Sequence, residues 1–107
     1  MINVTYHCQY NRVTIEGHAN SGEFGHDLVC AGVSALAYTL AANVGNLEGC
    51  DMVYRPTVVL ENGKAEITAN PKPRHKSTVA LIFQSVCVGF EVLAANYPEY
   101  VRYEILV

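Results

Sequence analysis

The apolar residues of this chain change their spacing four times along its length, and that succession of periods restricts the possible folds more than any single motif. Ile2, Val4, Tyr6 and Cys8 alternate with Asn3, Thr5 and His7, the pattern of a strand with one face in a core. Gln9 to Arg12 supplies a turn, and Val13, Ile15 and Gly17 continue the alternation, so a hairpin opens the chain. From Leu28 the period becomes helical. Val29, Val33, Leu36, Leu40, Val44 and Leu47 recur at three and four residues as one core-facing stripe, and Gly45 or Gly49 is placed to end it.

Met52 to Leu60 returns to β character, Asn62-Gly63 marks a tight hairpin, and Ala65, Ile67 and Ala69 alternate on the strand that follows. Pro56 cannot donate to a ladder, which consigns the first half of that third strand to an edge or a bulge. Asn70 to Lys76 reads as a loop. Ser77 or Thr78 then caps a second helix whose stripe is Val79, Phe83, Val86, Phe90, Leu93 and Tyr97, and Pro98 stops it at about Asn96. Val101, Tyr103, Ile105 and Val107 alternate on a last strand over Tyr100 to Val107.

The order is ββαββαβ. It predicts an α+β two-layer sandwich: a mostly antiparallel sheet of about five strands with two helices on one face, in a single domain over residues 1–107. Tyr6, Tyr54, Tyr100 and Tyr103 are expected to leave aromatic surface that a homodimer would cover.

Composition excludes several functions. The net charge is −3, and the only basic run is Pro71 to Lys76, so no nucleic-acid platform is expected. That run reads as a solvated connection or as a surface for an acidic partner. No apolar stretch is expected to span a membrane, and Met1 leads straight into a strand without a secretory signal, which predicts a cytoplasmic protein. Cys8, Cys30, Cys50 and Cys87 lie far apart with no CxxC pair, the pattern of four free thiols and of no structural zinc.

Gly17 to Ser34, GHANSGEFGHDLVCAGVS, is the stretch that carries chemistry. Asp27 is read as the N-cap of the first helix, which puts Cys30 in its first turn, where unpaired N–H groups favour thiolate. His18 precedes Cys30 by twelve residues across a loop containing Gly22 and Gly25, loose enough to return the imidazole to the sulfur and to cover a bound substrate. Ser34 lies one turn beyond Cys30 on the same side, either touching the site or allowing close packing. Another reading of the same residues is a metal site from His18, His26, Asp27 and Cys30.

The pattern Gly17-His18-Ala19, Gly22, Gly25, Asp27, Cys30-Ala31 and Ser34 resembles the ribosomal-processing cysteine protease family, Prp, and the likeness extends over the chain in length and element order. The resemblance implies that Cys30 is the nucleophile, His18 its base, and Asp27 and Ser34 their neighbours. It also implies a small dimeric cytoplasmic endopeptidase, without cofactor or metal, that removes the N-terminal extension of large-subunit ribosomal protein twenty-seven after an apolar, aromatic-rich segment. The rival reading is a non-catalytic ribosome-assembly partner that uses its hairpins and the Pro71 to Lys76 loop, with Cys30 an inert core thiol.

Overall fold

The structure is a computed structural model that describes residues 1–17 and 24–107, and for residues 24–27 the backbone only. The strands are β1 (Ile2–His7), β2 (Arg12–Glu16), β3 (Thr57–Glu61), β4 (Lys64–Thr68) and β5 (Val101–Leu106), and the helices are α1 (Phe24–Gly49) and α2 (Lys76–Asn96). They follow one another in the expected ββαββαβ order as an α+β fold.

One five-stranded sheet runs β3-β4-β2-β1-β5. Only the β1–β5 pairing is parallel, with Ile2 opposite Val101 and His7 opposite Leu106. The Asn62-Gly63 turn joins β3 to β4 with Glu61 opposite Lys64, and Gly63 takes the positive φ (80°) that such a turn requires.

Alternation decides what faces the helices. Ile2, Val4 and Tyr6 of β1, Val13 and Ile15 of β2, and Ala65 and Ile67 of β4 are buried together with Val29, Val33, Leu40 and Val44 of α1 and Val79, Phe83 and Phe90 of α2. These residues form one core, and both helices share one side of the sheet. Tyr6 stacks on Phe83 with ring centroids 6.3 Å apart. Gly89 brings α2 against α1 so closely that a Cβ there would sit 2.6 Å from Leu36 Cδ2.

Tyr6 therefore lies under the helices rather than on the open face, and Tyr103 on β5 is half-buried on the same side. The open face instead carries Asn3, Thr5, Thr14, Glu16 and Glu104. Among the described residues that face lacks the expected aromatic surface, because the period of two that makes Ile2 and Val4 core residues makes Tyr6 one as well.

Three element boundaries depart from expectation. The third strand begins at Thr57, not Met52; the segment before it makes only a single bridge, Val53 to Pro71. The second helix begins at Lys76 behind a short 3-10 turn, Pro73–His75, with His75 at the cap position and no side-chain cap bond, so neither Ser77 nor Thr78 caps it. Both helices are also long and apolar enough to cross a membrane by length and composition, contrary to the sequence reading, although each commits its stripe to the sheet.

Candidate active site

A cleft of about 450 Å³ opens between the first half of α1 and the ends of β1, β2, β4 and β3. Its apolar lining comes from Ile2, Ile15, Val33, Ala37, Leu60 and Ala65, and its rim carries Glu61, Asn62 and Lys64 of the hairpin. Cys30, Ser34 and Tyr38 enter it from α1 at four-residue steps, one line along the helix. The sequence reading placed Cys30 and Ser34 on one side, and the structure brings both to this cleft.

Cys30 is half-buried, with one side against the core and the other lining the cleft. The other thiols differ. Cys87 is buried in α2, Cys8 follows β1, Cys50 is exposed just past the end of α1, and all four are free. Burial pushes the Cys87 thiol up to about 11, partly offset by a hydrogen bond with Tyr103, whose own pKa is raised chiefly by burial and then by Cys87.

Gly17 lines the cleft from the end of β2. Its φ is 122°, and a Cβ there would stand 2.1 Å from the carbonyl oxygen of Met1. Its N–H donates to the Gly63 carbonyl at 3.1 Å, which ties the end of β2 to the hairpin tip. This structural role was not read from the sequence, where Gly17 counted as the end of an alternation and the start of the Gly17-His18-Ala19 pattern.

Helix α1 begins at Phe24, four residues before Leu28, the first residue beyond the expected cap. Asp27 is thus inside the first turn and is not the N-cap, Gly25 is helical rather than part of a loop, and Cys30 falls in the second turn. The N–H of Cys30 belongs to the intrahelical ladder, and the donors without an acceptor inside the helix are those of its opening residues, 24–26. Because side chains on a helix tilt toward its N-terminus, a residue in the second turn still leans toward those donors. His18 and Gly22 lie outside the described residues, as do the side chains of His26 and Asp27, and with them the expected His18–Cys30 pairing and the four-residue metal site. Among the described residues no group of His, Cys, Asp and Glu could hold a metal ion.

The sequence profile of the cysteine protease Prp family matches residues 1–102. The ribosomal processing cysteine protease Prp of Staphylococcus aureus is 29% identical over 90 residues, which are 84% of this chain and 81% of that one. A crystal structure of an essential ribosomal processing protease Prp from S. aureus in complex with a substrate peptide superposes with a TM-score of 0.70 at 26% identity, covering 98% of this chain and 97% of that one. A second crystal structure of that protease, with a covalently linked product peptide, gives 0.69 at the same 26% identity, over 98% and 97% of the two chains. That profile, matched over nearly the whole chain, puts this α+β domain with its half-buried cleft thiol among the cysteine proteases. Within them, this chain is a member of the Prp family.

Proposed function

We propose that the chain is a cysteine endopeptidase that removes the N-terminal extension of large-subunit ribosomal protein twenty-seven in the cytoplasm, with Cys30 as nucleophile and His18 as base. The observation that carries this reading is the position of Cys30, the only one of the four thiols that lines the main cleft of the described residues. The relatives named for ribosomal processing, one of them bearing a covalently linked product peptide, supply the substrate class and favour a covalent intermediate. Gly17, the residue before His18 in the sequence, lines the same cleft as Cys30, which supports this reading.

In the proposed reaction His18 takes the proton of Cys30, and the thiolate adds to the scissile carbonyl. The tetrahedral oxyanion is met by unpaired N–H groups of the first turn of α1. Collapse expels the amine, which receives the proton from the imidazolium and leaves an acyl-enzyme on sulfur. Water activated by His18 then hydrolyses it. With capping withdrawn, Asp27 takes the imidazole-orienting place, Ser34 supports the bound peptide one turn from the sulfur, and Gly22 keeps its proposed part in covering the substrate. Apolar walls from Leu60, Ile15 and Val33 suit an apolar, aromatic-rich segment before the cut.

The homodimer remains part of the proposal on different grounds. Leu81, Val88 and Val92 on the outer side of α2 are each more than half exposed, an apolar stripe that a second copy would cover. Light scattering should give twice the 11.7 kDa chain mass.

The deciding experiment is cleavage of a peptide carrying the ribosomal extension. Cys30→Ala should abolish cutting while circular dichroism stays unchanged. Normal cutting by that variant ends the reading, and retention of peptide binding without any cutting by the unaltered chain points to the non-catalytic partner.

A further inference from the structure

Two strands end the sheet, and they are protected unequally. At one edge β5 carries the exposed charges Arg102 and Glu104, a common guard against stray strand pairing. At the other edge, β3 reads Thr57-Val58-Val59-Leu60-Glu61, with no charge before its last residue, no proline within it and an unbroken register to β4. Its outer backbone groups have no partner among the described residues.

The side chains of β3 point the same way. Val58 is opposite Ile67 and Leu60 opposite Ala65, and partners directly across an antiparallel pair share a face. Ile67 is fully buried and Ala65 nearly so, which puts Val58 and Leu60 on the helix-facing side of the sheet. They are nevertheless 43% and 38% exposed, because the helical layer ends over β4. An open ladder and an uncovered apolar strip therefore run side by side along the same five residues.

That strip continues into the site. Leu60 and Glu61 line the cleft that holds Cys30, so chain lying along β3 passes directly into it. We propose that β3 receives an extended apolar stretch of the substrate chain as a sixth strand, its backbone pairing with the free edge and alternate side chains covering Val58 and Leu60. This rests on the peptidase reading and adds to it where the substrate is gripped. Five residues of strand span about 17 Å, enough to hold a segment of similar length beyond the residues at the cut. Continuity with the cleft favours a peptide over a second copy pairing edge to edge.

The test uses the full chain as Cys30→Ala, mixed with a peptide copied from the ribosomal extension, with amide hydrogen exchange followed by residue. The proposal expects the β3 amides that face away from β4 to slow at least tenfold on binding. It also expects Val58→Lys, which sets a charge on the apolar strip, to weaken binding at least tenfold with its circular dichroism intact. Binding with no slowing in β3, or with full affinity in Val58→Lys, overturns the proposal, as does a Val58→Lys variant that loses only self-association. The two readings fail separately. Protection of β3 by a peptide that the unaltered chain never cuts sinks the peptidase, and cutting without protection sinks the strand.

Discussion

Replacing Gly17 by alanine tests how the fold holds the end of β2 at the site. At φ = 122° an L-residue is strained, at a cost of about 1–3 kcal/mol. The new Cβ would lie 2.1 Å from the Met1 carbonyl oxygen and 3.1 Å from Ile2 Cα, and both neighbours are backbone that cannot rotate away. Ile2 is itself a core residue at the start of β1, so the end of β2 must be the part that moves. Moving it stretches the Gly17–Gly63 hydrogen bond, whose loss is worth about 1 kcal/mol. The sum is about 2–4 kcal/mol, within the usual stability of a domain of this size, so the variant should fold. Urea titration should show that loss. Peptide cleavage should fall by about 100-fold, because His18, the proposed base, is the next residue and a displacement of about 1 Å at a catalytic group has that effect. Gly45 is the control. It is exposed inside α1 with no atom within 4 Å of the place an added methyl would take, and Gly45→Ala should stabilise by about 0.5–1 kcal/mol. If Gly17→Ala unfolds within about 0.5 kcal/mol of the parent and cuts at the parent rate, the reasoning about this glycine is refuted.

Two further outcomes follow from the buried polar groups. The Tyr6 hydroxyl is buried without a hydrogen-bond partner among the described residues, so Tyr6→Phe should leave stability unchanged or raise it by about 1 kcal/mol, and a comparable loss on chemical denaturation would reveal a missed partner. The Cys87 thiol is neutral in the fold up to a pKa of about 11, whereas its unfolded value is near 9.0, so the unfolded chain gives up its proton first as pH rises. Stability is therefore full below pH 9 and declines by an order of 2 kcal/mol towards pH 11; Cys87→Ala should flatten that slope, and an unchanged slope would contradict the assignment.

The strongly patterned elements were legible in the sequence because one local cause dominates each. Asn62-Gly63 imposes its turn, Pro98 lies two residues past the end of α2, and the two stripes of valine, leucine and phenylalanine pack as one core. The start of α1 was not. In the sequence, Gly25 and His26 stand where the three-and-four spacing would continue back from Val29, and Asp27 looks like a cap because a sequence shows the residue type that favours a cap but not whether the preceding turn is already wound. Met52 to Pro56 has strand composition without a strand partner, and pairing is a tertiary matter that composition does not encode. Tyr54 is exposed as expected, but Tyr6 was misjudged for a simpler reason: it shares its face with Val4, so counting it as open surface ignored the period that defined the strand. At the site, helical spacing was enough to align Cys30 with Ser34. The opposite wall, Leu60 to Lys64, lies more than twenty residues away in sequence and joins the cleft only through the order of the strands.

The central claim is that the sulfur of Cys30 attacks the peptide bond, and the most direct measurement is the mass of the protein during turnover. Acid quenching of the full chain with the extension peptide, followed by proteolytic mapping, should reveal the N-terminal product joined as a thioester to Cys30 and to no other cysteine. An adduct on Cys8, Cys50 or Cys87, or steady cleavage with no adduct in a chain whose Cys30 has been alkylated, would contradict it.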